Sequence, residues 1–549
     1  MVNPYLLKLP PQELIDSSSH KLPYSIIFQP TNLSSQKVAI IYLHDWNKYS
    51  YTASGCYLGQ ELAKQGYLFL SLGMRRRGVE GQMRAIPDDD IDDIRQGIDY
   101  LKAQGCQNII LMGEGIGGLN AIRYYSKEED NDLQGIILIR PFPNLDSWLK
   151  SQIGKGRYQA ILNQSSPELI EGSEKELWVD LTIQYSQKES LLIYQSFDTW
   201  LSWWSPKADT KISDFLTNSS IPVLAVSPLE TITEKLEITT ITDVNNQDKL
   251  KNIIHSWISH LKYLKSHEFQ LHKKDLVEVS EIIKVKTPDN DSLVGLLWDN
   301  NECQENKTVI LHVRGKTGTP ITEPLTTQFA EIYNKHKIAI IVIELHRSGY
   351  GGSLESLAEK DVEDIHAFVE CLLKRGYTGI ILSGQSLGSN SIMRYCVQYY
   401  HPNVMAMIHF APTQDCANWL ENHLGSDYYQ SLVKQAQNAL ENKQNNQGLI
   451  GKPPYDKMLS PHRPDAWLSW WSPSADTANL KTIAEVNIPI LMLCGSQDFF
   501  NDRERLETLK SAAICSPITD IIWYEGCGHN FANFEEQAAR DVVTWLKKL

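Results

Sequence analysis

Nothing in these 549 residues runs apolar for the roughly 20 positions that a membrane-spanning helix requires. The amino terminus, Met-Val-Asn-Pro-Tyr-Leu-Leu-Lys-Leu-Pro-Pro, lacks the apolar core and small-residue cleavage signature of a secretory leader. A basic face is missing too: the formal charge is −14, the wrong sign for a nucleic-acid footprint. Cysteine is sparse and unpatterned. Its nine copies are odd in number, with no Cys-x-x-Cys or other metal spacing, which fits reduced, buried thiols better than a disulfide framework. The final Lys-Lys-Leu is a poor peroxisomal address and reads as the end of an amphipathic helix. These absences predict a cytoplasmic globular protein without nucleic-acid or membrane partners.

What is present is a repeat. Asp198-Thr-Trp-Leu-Ser-Trp-Trp-Ser-Pro-Lys-Ala-Asp-Thr210 returns as Asp465-Ala-Trp-Leu-Ser-Trp-Trp-Ser-Pro-Ser-Ala-Asp-Thr477, about half the chain later. Tryptophan is too rare for this to be chance, and the period is far too long for a solenoid unit. Two tandem domains are expected, 1–265 and 275–549, each long enough to bury its own core. The polar stretch from Leu264 to Lys274 is the expected join.

Within each half, short β-branched apolar runs bounded by turn residues read as buried parallel strands. Val38 to Leu43, Asn108 to Met112 and Gly135 to Ile139 are examples; Thr308 to Leu311, Gly379 to Ser383 and Pro489 to Cys494 are their equivalents in the second half. Helical patterns at Asp89 to Lys102 and Asp361 to Lys374 lie between them, so the fold class is α/β: a mostly parallel sheet flanked by helices in each half. Leu276 to Lys286 and Ser292 to Trp298 read as a hairpin opening the second domain. The segment from about 415 to 487 is too long for a crossover loop and reads as a helical cap insertion.

Chemistry concentrates in the second half. Strand Ile380-Ile-Leu-Ser383 runs into Gly384-Gln-Ser-Leu-Gly388 and then a helix, the context of a nucleophile elbow lifting Ser386 to the sheet edge. Strand Ile490 to Cys494 ends at Gly495-Ser-Gln-Asp498, with Asp502 a competing carboxylate. Ile521-Ile-Trp-Tyr524 leads to Glu-Gly-Cys-Gly-His529. His312 and His346 read as loop or core histidines. Gly315-Lys-Thr is no phosphate loop, because Ile310 holds the required glycine position. Asp88-Asp-Asp90 reads as a solvated helix start.

Ser386, Asp498 and His529 fall in the order of the α/β-hydrolases, which the second half resembles over essentially its whole length. The resemblance extends to the His312-Val-Arg-Gly-Lys-Thr-Gly318 loop and the Glu344-Leu-His-Arg-Ser-Gly-Tyr-Gly-Gly352 loop. It implies tandem α/β-hydrolase domains with helical cap insertions. Ser386 would be the nucleophile, His529 the base, and Asp498 the group that orients the imidazole. The backbone N–H of Leu387 and that of Arg314 would hold the oxyanion, with Lys316 in reserve because Val313 replaces the usual glycine after His312.

The first half resembles the same fold with its chemistry removed. Gly113-Glu-Gly-Ile-Gly117 places Gly115 where Ser386 stands; Ser227-Pro-Leu-Glu-Thr231 replaces the loop of Asp498; no histidine appears around Ile241 to Asn246. Glu114, one position off the elbow, is no substitute nucleophile. A degenerate partner domain follows, in intramolecular contact with its active twin, and a vestigial ligand pocket is the minor alternative. The tryptophan segment survives in the inactive half and so reads as structural more than substrate-binding. The expected function is ester or thioester hydrolysis through an acyl-enzyme on a small-molecule acyl substrate, with neither metal nor organic cofactor. An acyltransferase with the same triad and a non-catalytic scaffold with a relic triad remain as alternatives. Substrate identity and oligomeric state are not legible.

Overall fold

A computed structural model describes residues 2, 4–9, 24–30, 38–46, 48–77, 81–130, 132–164, 178–184, 190–216, 220–226, 237–239, 246–261, 264–265, 276–299, 307–321, 324–413, 415–445, 448–451 and 461–549. The chain divides into two compact units, Met1–Glu278 and Val279–Leu549. Most of the expected join, residues 266–275, lies outside the described residues.

In the first unit the strands are β1 (Pro4–Leu7), β2 (Ser25–Phe28), β3 (Ala39–Leu43), β4 (Leu68–Ser71), β5 (Ile109–Glu114), β6 (Leu133–Ile139), β7 (Trp178–Gln184), β8 (Ser190–Ser196), β9 (Val223–Val226), β10 (Glu237–Thr239) and β11 (Leu276–Glu278). Nine of them form one sheet in the order β10-β9-β6-β5-β3-β4-β2-β1-β11, while β7 and β8 pair as a separate antiparallel ribbon. The central strands β3, β5 and β6 are parallel and buried along almost their whole length, as expected of strands covered on both faces.

The second unit holds β12 (Glu281–Lys286), β13 (Ser292–Trp298), β14 (Lys307–Val313), β15 (Ala339–Ile343), β16 (Tyr377–Gln385), β17 (Val404–Phe410), β18 (Ile490–Gln497) and β19 (Thr519–Gly528). Its sheet runs β12-β13-β15-β14-β16-β17-β18-β19, with β13 alone reversed. The first sheet repeats this order from β1 to β10 and adds β11 at the β1 edge. The chain thus forms mostly parallel α/β sheets flanked by helices. One detail differs from expectation: Leu276–Glu278 does not open the second hairpin but pairs antiparallel with β1 in the first sheet. Ser280 marks the switch, its hydroxyl donating to the Asp299 carbonyl while the hairpin proper starts at Glu281.

Between β17 and β18 lie the helices Cys416–Leu424, Ser426–Glu441, Pro464–Trp471 and Asn479–Ile483. Leu420, Tyr429, Leu432, Ala436, Trp467, Trp470 and Trp471 form a separate apolar cluster here, which also takes in Leu387 from the helix after the elbow. Burial of these large rings, each about 5 % exposed or less, holds the first three of these helices together beside Leu387, while Ile483 of the fourth packs into the core of the sheet. The matching Trp200, Trp203 and Trp204 are equally buried in the first unit. Among the described residues no helix is long and apolar enough to cross a membrane.

Candidate active site

Every residue of interest in the second unit follows the carboxyl end of a parallel strand. Ser386 comes directly after β16, Asp498 after β18 and His529 after β19, so the strand polarity delivers all three to one edge of the sheet. The turn at Ser386 is tight for a sequence reason. A Cβ on Gly384 would lie 2.5 Å from the Gly388 carbonyl oxygen, and one on Gly388 would lie 2.3 Å from that of Val313. Only glycine permits the strand, the helix and β14 to close this far. Ser386 itself takes φ 53°, ψ −123°, a strained left-handed conformation for a residue with a Cβ. Its N–H donates to the Phe410 carbonyl at 2.9 Å. Leu387 follows as the first residue of the helix Leu387–Gln398.

His529 and Asp498 are joined. His529 Nδ1 lies 2.9 Å from Asp498 Oδ2, with the carboxylate side chain wholly buried. The other carboxylate oxygen accepts the Phe500 and Asn501 backbone N–H groups at 2.7 and 3.1 Å. The Cys494 thiol points at Oδ2 from 3.5 Å. Burial and the Asp498 charge raise this thiol well above the usual range, so it stays protonated and can donate. Phe531, two residues past His529, packs edge-on against Phe410, whose carbonyl holds the Ser386 N–H. Phe499 and Phe500 cover the imidazole at 4.6 and 5.1 Å between ring centroids.

The competitors take other duties. Asp502 caps the helix Arg503–Ala512, accepting the Arg505 N–H at 2.8 Å. His312 is buried against Ser383 Oγ, and burial together with the Arg314 charge lowers it to about 3, so it stays neutral. Burial also lowers His346, but Asp364, with Asp289 and Asp291, more than offsets this and raises it to about 9. His346 is therefore an imidazolium in an ion pair with Asp364 at 2.7 Å.

The loop after β14 lies against the elbow: a Cβ on Gly315 would approach the Ser386 Cβ to 2.9 Å and its Oγ to 3.5 Å. Arg347 fixes this loop. Its Nη2 donates to the Arg314 carbonyl at 2.8 Å, its Nη1 to the Gly315 carbonyl, and its Nε to Asp361, at 2.5 Å each for the latter two. Sequence reasoning named the loop of Arg347 but missed the residue. The signal was available: Arg76 stands at the same offset from Gly115 as Arg347 from Ser386.

In the first unit the same guanidinium bonds recur. Arg76 donates to the carbonyls of His44 and Asp45 and to Asp90. This corrects the reading of Asp88-Asp-Asp90 as solvated: Asp88 is exposed, but Asp90 is fully buried, and its Oδ2 accepts from Arg76 and Asn120. Gly115 keeps the elbow geometry at φ 57°, ψ −118°. Glu114 is bound by Tyr42 at 2.5 Å and by Arg140. The loops expected to replace those of Asp498 and His529, at 227–231 and 241–246, fall outside the described residues apart from Asn246, which caps the helix Gln247–Ser259.

The tryptophan segments make matching bonds. Trp470 Nε1 donates to the Ser356 carbonyl and Trp203 Nε1 to that of Ala85. Tyr429 donates to the Trp471 carbonyl and Tyr158 to that of Trp204, both at 2.8 Å. Lys316 Nζ sits 5.1 Å over the Trp471 ring, and Trp46 packs edge-on against Trp203 and Trp204.

Residues 290–478 match the model of a family described as a protein of unknown function (DUF1749), and residues 458–547 match the dienelactone hydrolase family. No curated protein matches the chain. Similar solved structures include Est1E from Butyrivibrio proteoclasticus, at 15% identity over 49% of this chain and 98% of that one, with a TM-score of 0.37. A thermostable carboxyl esterase from Bacillus coagulans is 11% identical over 49% and 98%, with a TM-score of 0.40. The Pyrococcus furiosus esterase Pf2001 is 16% identical over 49% and 90%, with a TM-score of 0.35.

Proposed function

From the premise that this chain has the α/β-hydrolase fold, we propose that its second unit is a serine hydrolase that cleaves an ester or thioester through an acyl-enzyme. The observation that carries this reading is the buried Asp498–His529 hydrogen bond, at the same sheet edge as a serine held in a left-handed elbow. Ser386 Oγ adds to the substrate carbonyl carbon and passes its proton to His529 Nε2. The tetrahedral intermediate collapses, the bond to the leaving oxygen or sulfur breaks, and Nε2 returns the proton to it. Water then repeats the sequence on the acyl-enzyme and releases the carboxylic acid. Asp498 keeps the Nδ1 proton in place and balances the imidazolium.

The oxyanion meets the Leu387 N–H and, in this reading, the N–H of Lys316, not of Arg314. The first unit supports the choice. Arg76 grips the carbonyls of His44 and Asp45 as Arg347 grips those of Arg314 and Gly315. Trp46 is therefore the counterpart of Lys316, and the Trp46 and Ile116 N–H groups converge on one oxygen. The common sheet order, elbow and tryptophan segments support a duplication in which the first copy lost its hydroxyl and is catalytically silent.

The test is covalent labelling by a fluorophosphonate, followed by a panel of esters and thioesters of graded acyl length. Labelling of wild type that disappears in Ser386→Ala is the expected result. Folded wild type that neither labels nor turns over any substrate would overturn the proposal.

A further inference from the structure

We propose that the first unit retains an oxyanion-type nest whose resident ligand is its own Asp45 carboxylate, and that this nest takes small carboxylate anions once Asp45 is removed. A single oxygen, Asp45 Oδ1, accepts the Trp46 N–H at 2.7 Å and the Ile116 N–H at 3.0 Å. Two backbone donors from separate segments thus close on one anionic oxygen, at the amino end of the helix Ile116–Glu128. Arg76 holds the loop from the other side through the His44 and Asp45 carbonyls.

Space favours one side chain here in each unit. A Cβ on Gly115 would lie 2.0 Å from Asp45 Oδ1 and 2.2 Å from its Cγ. In the second unit the positions are exchanged: Ser386 has the side chain, and the residue matching Asp45 is Gly315, where a Cβ would press on Ser386. A serine at 115 would displace the Asp45 carboxylate from its two amide donors. The first unit's elbow is therefore closed by its own carboxylate and is not an open ligand pocket. Burial and the nearby Glu114 carboxylate both push Asp45 upward, against the two amide N–H groups and Arg76 that favour its anion. The inference concerns the first unit alone and stands whether or not Ser386 is a nucleophile.

The test uses the full chain with Asp45→Gly, which copies the second unit's glycine, and Asp45→Asn, which keeps a carbonyl oxygen for the two amides. Hydrogen exchange is followed at the Trp46 and Ile116 amides. Asp45→Gly is expected to speed their exchange by roughly tenfold or more, the scale of a lost charge-assisted hydrogen bond. Formate should restore protection in proportion to its concentration, and chloride at equal ionic strength should not. Asp45→Asn should stay protected without formate. Gly115→Ser should lower the unfolding midpoint in the wild-type background by clearly more than in the Asp45→Gly background. Amides equally slow in Asp45→Gly without formate, no difference between formate and chloride, or an equal cost of Gly115→Ser in both backgrounds would each overturn the proposal.

Discussion

The two elbows have almost the same backbone, φ 57°, ψ −118° at Gly115 and φ 53°, ψ −123° at Ser386, but they carry it at different expense. Glycine adopts that conformation freely, whereas a residue with a Cβ there stores about 1–3 kcal/mol. Strain persists only where the surroundings enforce it, and in the second unit two flanking glycines, the Phe410 carbonyl and Gly315 all do so. The comparison separates architecture from chemistry. The buried Arg–Asp pairs, the tyrosine hydroxyls on tryptophan carbonyls and the tryptophan segments occur in both units. A hydroxyl at the elbow occurs in one.

Breaking the comparison at its sharpest point should have the largest effect. Ser386→Ala is expected to lower ester turnover by roughly 10⁶-fold, with the fold intact by circular dichroism. Gly115→Ser added to that variant should restore nothing; turnover arising there would end the reading of the first unit as silent. Asp498→Asn frees the histidine to adopt the wrong tautomer and should reduce kcat by about 10⁴-fold. The shared features predict equality instead. Trp470→Ala and Trp203→Ala should each destabilise their own unit by about 3–5 kcal/mol in denaturant titrations. A large loss of activity from Trp470→Ala without loss of stability would make that ring a substrate wall.

The smallest effect concerns His346, which stands where the first unit has Arg75; their partners Asp364 and Asp93 match. His346 is raised in the folded state to about 9. Its contribution to stability is therefore complete below the unfolded value near 6.5, roughly, and is lost as pH rises through about 9. The unfolding midpoint of the second unit should fall between neutral and alkaline pH, and His346→Arg should flatten that fall.

Much of this was legible in the sequence because the strands are short, apolar and punctuated by glycine, so the positions just after β16, β18 and β19 announce themselves. Local signals fail where tertiary partners decide. Asp90 looks like any acidic residue in a first helical turn, and only its partners distant in sequence, Arg76 and Asn120, hold its side chain in the core. Leu276–Glu278 has the composition of a hairpin strand, and only the free edge of β1 claims it for the first sheet. Arg314 and Lys316 cannot be ranked as donors until the guanidinium below them fixes which carbonyls turn inward.

The competition of side chains at 45 and 115 also constrains what single substitutions can do. With glycine at 115 and aspartate at 45, the first unit reaches the second unit's arrangement through neither position alone. A serine at 115 alone meets the carboxylate; loss of the carboxylate alone strips two amides of their partner. Each of the two positions thus holds the other as it is, so a hydroxyl at the first unit's elbow needs both to change together.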